Sequence, residues 1–161
     1  MTADVALDLL LIEVAGQRYA VPLSCVRTIH RAVAAVPIPG APAIIEGAIN
    51  VRGRIVPLLN IRHRFGLPNR DVEPDDHLVI ALAGDRMVAL RVDRALDLVS
   101  VPGGHVRSAE NLSPHVTLFA GVVTLPDGVV LIHDLAAFLT DAERADVDAA
   151  LSACTATVSA P

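Results

Sequence analysis

Gly47-Ala48-Ile49-Asn50-Val51-Arg52-Gly53-Arg54-Ile55-Val56-Pro57-Leu58-Leu59-Asn60-Ile61 lies without a gap over Gly121-Val122-Val123-Thr124-Leu125-Pro126-Asp127-Gly128-Val129-Val130-Leu131-Ile132-His133-Asp134-Leu135. Each copy reads as an apolar strand, a turn made of Arg-Gly or Pro-Asp-Gly, and a second apolar strand, which is the pattern of a β-hairpin. A second match, Leu10 to Arg18 over Leu78 to Arg86, repeats an apolar strand followed by Ala-Gly-polar-Arg. There too a Gly-polar pair supplies the positive backbone dihedral of a tight turn between two strands. The copies keep their order with a short insertion between them, so the chain is an internal duplication of two equivalent lobes. Each lobe then holds about five short strands punctuated by Gly and Pro, the pattern of small closed or nearly closed barrels. The fold class is all-β. Lobe one is placed at about residues 8–70 and lobe two at about 77–140, with a short helix and a flexible tail over 141–161. Short helical turns are expected at Pro22 to Val26 and at Leu59 to Phe65, the second capped by Gly66.

Composition narrows the function. With 161 residues, 53% of them hydrophobic, and a net charge of −5, the chain fits one domain with a full core and not a disordered segment. The longest stretch without Asp, Glu or Arg, from Asn111 to Pro126, is broken by Pro114 and His115 and is shorter than the ~20 apolar residues of a membrane span. Asp4 and Asp8 stand where a signal peptide would be basic, so a cytoplasmic protein is expected. Cys25 and Cys154 are far apart and form neither a disulfide framework nor a zinc knuckle. The His residues at 30, 63, 77, 105, 115 and 133 show no HxH, HxxxH or HExxH spacing and read as solvent or edge residues. His133-Asp134 is the one adjacent imidazole and acid, and neighbours on a strand face opposite sides, so no dyad forms there. No nucleophile elbow, phosphate loop or kinase glycine loop occurs. The reading is therefore no enzyme, no catalytic residue, no metal and no cofactor.

From Arg52 to Arg70 there are five Arg and no acid, followed at once by Asp71, Glu73, Asp75 and Asp76, which read as a solvated loop. The Arg stretch on a small barrel invites a nucleic-acid reading, but single-strand binding needs exposed aromatics to stack bases. The chain has only Tyr19, Phe65, Phe119 and Phe138, most of them required for the core, and its total charge is acidic.

The run Ile45 to Leu67, with Gly47, Asn50, Arg52, Gly53, Ile55, Pro57, Leu58, Ile61, Arg62, Phe65 and Gly66, resembles the signature of the CheW family of chemotaxis coupling proteins. The opening hairpin through Tyr19, Val21, Pro22 and Val26, the Pro37 to Pro42 segment, Val88 to Val99 with Asp93, and Gly121 to Leu139 follow in family order. The resemblance implies two intertwined five-stranded barrels, related to SH3 and OB barrels, with a groove between them. It also implies a non-enzymatic adaptor that joins a methyl-accepting chemoreceptor to the regulatory domain of a CheA-type histidine kinase in a motility system. Recruitment to membrane receptor arrays would follow without membrane insertion. The alternatives are a binding module for another helical signalling partner and, behind it, a nucleic-acid-binding barrel.

By its match to the family's Asn-x-Arg-Gly turn, Arg52 is the first candidate receptor-binding residue, as a guanidinium that can fork onto carboxylates or carbonyls of a partner helix. Val26 and Gly47 fall at family positions along the receptor groove and complete the candidate set. Each also has a structural reading, Val26 as strand core and Gly47 as a backbone requirement that Gly121 repeats. Thr28 and Asn60 stand where the family often carries an acid, so the lobe-one surface has less negative charge than the family pattern.

Overall fold

In the computed structural model, which describes residues 6–108, 119–126, 128–137 and 141–159, all four hairpins expected from the duplication form. The strands are β1 (Ala6–Val14), β2 (Gln17–Pro22), β3 (Val26–Arg31), β4 (Ile45–Val51), β5 (Arg54–Leu59), β6 (His77–Ala83), β7 (Arg86–Val92), β8 (Arg94–Pro102), β9 (Val106–Ser108), β10 (Phe119–Leu125) and β11 (Gly128–His133). Two of the turns, Ala15-Gly16 and Arg52-Gly53, have positive φ at both central residues, 54° and 76° in the first and 51° and 85° in the second. That is the type I′ pattern, whose twist matches the strands it joins.

The strands make a six-stranded sheet in the order β8-β1-β2-β11-β10-β9 and a five-stranded sheet in the order β3-β6-β7-β5-β4. The hairpin β1–β2 from the first half of the chain joins β8 to β11 of the second, while β6–β7 from the second half joins β3 to β5 of the first. Neither half therefore closes a sheet of its own, and residues 8–70 and 77–140 are units of sequence and not of packing. The halves meet through two antiparallel ladders, β1 with β8 and β3 with β6, and through two short parallel contacts, Leu131 beside Tyr19 and Leu58 beside Ala89. Such long-range pairings leave no local pattern in the sequence, whereas hairpins do.

The apolar residues form three layers. Leu9, Leu11, Ala20, Val123, Val130 and Ile132 fill one face of the six-stranded sheet. Ile49, Val56, Leu58, Leu78, Ile80 and Ala89 fill one face of the five-stranded sheet. Between the sheets lies the largest cluster, with Leu10, Ile12, Val14 and Val21 against Val79, Ala81, Val88 and Leu90. Alternate residues of β1 and of β6 thus enter different layers, so these strands are apolar on both faces. At about 1.5–3 kcal/mol per large side chain, the middle layer alone binds the two sheets into one unit.

Helix α1 (Ile61–Arg64) is capped by Asn60, whose Oδ1 accepts from the His63 N–H at 3.1 Å while its Nδ2 donates to Asn69 Oδ1 at 2.9 Å. An Asp at this position would keep the cap and lose the donor, which is a structural reason for the departure from the family's acid. Helix α2 (Asp141–Ser159) corrects the expected tail, because it continues well past Leu151. Ala, the strongest helix former, recurs along this segment, and the helix is docked through buried Val147 and Ala150. Glu143 pairs with Arg64 and Asp148 with Arg86, fixing the helix across the end of the middle layer.

Two polar expectations are also corrected. Asp76 is not solvated: it is 1% exposed and receives Arg70 at 2.7 Å and the Glu73 N–H at 2.9 Å. His133 is not an edge residue. It is fully buried, its ring centroid 4.9 Å from that of Tyr19 and 5.1 Å from that of Phe65. Burial pushes the His133 imidazole down to about 3, so the native state keeps it neutral. The unfolded chain takes up a proton below about 6.5 that the native state refuses until about 3, so stability falls as the pH falls through that window. His133→Phe should flatten the pH dependence of urea unfolding between those limits. An unchanged slope would mean that His133 does not contribute to it.

Candidate functional site

Arg52 sits at the tip of the β4–β5 hairpin, exposed and in the left-handed region at φ 51°. Asn50 Oδ1 accepts from the Gly53 N–H at 2.8 Å and closes the turn beneath it. The side chain is therefore held out from the sheet by a backbone that is itself hydrogen-bonded, in a conformation costing about 1–2 kcal/mol for a residue with a Cβ.

Sheet order places β3 and β4 at opposite edges, yet residues of both line the same two cavities. The five-stranded sheet is thus curled into an open barrel with its seam between these edges. One cavity, of about 220 Å3, is lined by Arg27, Thr28, Arg52 and Arg54 over Val51, Val56, Ile80 and Met87. The other, of about 160 Å3, is lined by His30, Arg31, Asn50 and Arg52 over Val33, Ile49, Val51 and Leu78. Arg52 borders both. Apart from exposed Val33, the floor of each belongs to the apolar layer of this sheet or packs on it, and among the described residues neither cavity has a carboxylate in its lining.

The other two candidates lie elsewhere on this lobe. Val26 is half-buried at the start of β3 and packs on the middle layer between the sheets, away from the two cavities. Gly47 is buried in β4, where a Cβ would come within 2.5 Å of the Val36 carbonyl oxygen. Sequence reasoning missed Arg27 and Arg31. Alternation along β3 does not signal them, because the register shifts between Val26 and Thr28 and the cavities take Thr28 and His30 as well as Arg27 and Arg31.

The remaining arginines of the basic stretch are internal. Arg62 and Arg70 both reach Asp93, at 2.8 Å and 2.7 Å, and Arg70 also holds Asp76. Arg91, itself bonded to the Arg70 carbonyl, pairs with Glu46 at 2.6 Å. Burial pushes the Glu46 carboxyl up, against the opposing pull of Arg91. Asp93 is buried enough to raise its pKa, but the hydrogen bonds from Arg62, Arg70 and the Ala15 N–H outweigh that and hold it below the usual carboxylate range. A cavity of about 360 Å3 beside this network is lined by Glu13, Glu73, Asp75, Asp76 and Asp93 with Arg70 and Arg94. Among the described residues no group of three His, Cys, Asp or Glu side chains is placed to hold a metal ion. Nor is any helix among them long and apolar enough to cross a membrane.

Residues 8–143 match the family described as the CheW-like domain. The chain is 27% identical over 139 residues to the chemotaxis protein CheW of Rhizobium meliloti, a match spanning 85% of this chain and 90% of that protein. To the chemotaxis protein CheW of Bacillus subtilis it is 29% identical over 111 residues, 68% of this chain and 71% of the relative. The crystal structure of the scaffolding protein TtCheW from Thermoanaerobacter tengcongensis superposes with a TM-score of 0.76 at 22% identity, covering 86% of this chain and 91% of that one. That likeness is one of fold: two sheets of small-barrel type joined as described above.

Proposed function

We propose, from the premise that this chain belongs to the CheW-like domain family, that it is a non-enzymatic adaptor coupling a chemoreceptor to a CheA-type histidine kinase in a chemosensory system controlling motility. The observation that supports it most is the seam of the five-stranded barrel, where an exposed guanidinium stands between two apolar depressions. Such a surface suits a helical partner: apolar area supplies affinity and the charge sets register. Arg52 contacts the receptor directly. Gly47 and Val26 act from beneath, Gly47 by admitting the Val36 backbone and Val26 by fixing β3 on the middle layer. The kinase's regulatory domain takes a separate surface, and contact with receptors, not insertion, brings the protein to membrane arrays.

Titration calorimetry of the full chain with the regulatory domain of its cognate kinase should show a complex at micromolar affinity. Absence of heat and of complex at about 100 μM, well above affinities common for transient signalling contacts, would sink the adaptor reading.

Arg52 gives a second prediction in which stability and function move in opposite directions. Asn tolerates the left-handed region better than Arg, so Arg52→Asn should raise unfolding free energy by about 0.5–1 kcal/mol. Receptor-dependent kinase activity should fall in the same sample. Arg52→Ala keeps a Cβ in the same strained position and should change stability by less than about 0.5 kcal/mol while weakening coupling equally. Normal coupling in both variants would remove Arg52 from the site.

A further inference from the structure

The arginines of this chain divide by environment. Arg62, Arg64, Arg70, Arg86 and Arg91 each meet a carboxylate. Among the described residues Arg27, Arg31, Arg52, Arg54, Arg94 and Arg107 make no ion pair, and the first four gather in the linings of the two cavities at the barrel seam. His30 lines one cavity as well, and among the described residues no acid answers them in either lining. In a chain of net charge −5 this is a concentrated positive field over an apolar floor.

We propose that this basic rim selects an acidic amphipathic helix, with Arg27, Arg31 and Arg54 acting as specificity residues around Arg52. The inference rests on the reading of the seam as the face that meets a helical partner, and adds the chemistry that partner must have. Branched side chains of one face of the helix enter the depressions over Val51, Ile80 and Met87 on one side of Arg52 and over Ile49 and Leu78 on the other. Carboxylates flanking that apolar stripe meet the four guanidiniums, which can each fork onto two oxygens. Exposed Val33, at 54%, extends the floor at its rim. A single-stranded nucleic acid fits the charge but not the floor, because among the described residues no Tyr or Phe ring lines either cavity for a base to stack on. An anionic bilayer fits the charge but has no side chains to fill two separate depressions.

The test uses the full chain and a synthetic amphipathic helical peptide of about 18 residues, with Leu at i, i+3, i+4 and i+7 and Glu on both flanks, followed by fluorescence anisotropy. The peptide should bind, and the same peptide with Lys for every Glu should not. The double variant Arg27→Glu/Arg31→Glu, checked for its fold by circular dichroism and thermal melting, should bind the acidic peptide at least about tenfold more weakly and turn toward the Lys peptide. Raising salt from about 50 to 300 mM should weaken wild-type binding several-fold. Arg54→Gln, at a single exposed position, gives a second variant if the double one melts early, and should lower affinity by a smaller factor. Equal affinity of wild type and both variants for the acidic peptide would overturn the proposal. So would tighter binding of a dT oligonucleotide or of phosphatidylglycerol vesicles than of the peptide. If cognate receptor coupling proceeds unchanged in the double variant, the charge selection fails while the adaptor reading stands. If the kinase titration fails while the peptide binds, the adaptor reading falls and the acidic-helix surface remains.

Discussion

Asp93→Ala should lower unfolding free energy by about 3–5 kcal/mol, the cost of breaking a partly buried ion network by removing the partner that two cations share. Asp93 lies between β7 and β8, where the chain leaves the five-stranded sheet for the six-stranded one. Its carboxylate receives Arg62 of α1, Arg70 of the connection into β6, and the Ala15 N–H of the β1–β2 turn at 2.8 Å. Its own N–H donates to the Glu13 carbonyl at 2.8 Å. One side chain thus ties elements of both sheets. Arg62 and Arg70 are 13% and 26% exposed, so the alanine variant leaves two guanidiniums largely out of water without a full set of acceptors. The pH dependence gives the sign. A carboxyl held below its unfolded value contributes stability that is present above about 3.9 and is lost as pH falls through the lower folded value. The gap between wild type and Asp93→Ala should therefore be full at pH 7 and close in strong acid. A gap below about 1 kcal/mol at pH 7 would make this network no stronger than exposed surface pairs.

That hub shows where sequence reading ends. The hairpins were legible because turn chemistry and strand alternation are local: Asn50-Val51-Arg52-Gly53 carries its own closing hydrogen bond. The assignment of each hairpin to a sheet was not, because it depends on pairings such as Leu9 with Val99 and Leu58 with Ala89, made by residues far apart in the chain. The run of five arginines looked uniform in one dimension. In the structure Arg62, Arg64 and Arg70 turn inward to acids, Asp93 and Glu143 from distant segments and Asp76 from Arg70's own connection, and Arg52 and Arg54 remain outside with Arg27 and Arg31 from another strand. A charge count along the chain cannot separate these, since pairing is set by tertiary neighbours. Asp76 was misplaced for the same reason: its loop composition is polar, but Arg70 and Arg91 surround it. Gly47 was the reverse case, where an internal repeat in sequence pointed to a backbone cause before any neighbour was known.

Gly47→Ala and Gly121→Ala should both destabilise, by about 2–4 kcal/mol at Gly47 and less at Gly121, in the range of overpacked core sites. Both glycines sit just after an irregularity of register, between Ile45 and Gly47 in β4 and between Phe119 and Gly121 in β10. At each, a neighbouring strand crosses closely: Val36 bridges to Ala48 beside Gly47, and β9 pairs with β10 beside Gly121. A Cβ on Gly47 would stand 2.5 Å from the Val36 oxygen and 2.9 Å from the Ala35 Cβ. On Gly121 it would stand 2.8 Å from the Arg107 oxygen and 3.0 Å from a Val106 methyl. The nearest atom in both cases is backbone, which cannot turn aside, so a strand must move; the wider clearances at Gly121 make its cost the smaller. The two substitutions also separate structure from function. Coupling should fall in Gly47→Ala because the displaced segment at Ala35 and Val36 adjoins Val33 at the seam, whereas Gly121→Ala, in the other sheet, should lower stability and leave receptor coupling near normal under conditions where it remains folded. If Gly47→Ala melted with wild type and still lost coupling, the residue would be a direct partner contact and the close-approach argument would fail. If both variants lost coupling in proportion to their stability, Gly47 would have no role at the seam beyond the one its repeat shares.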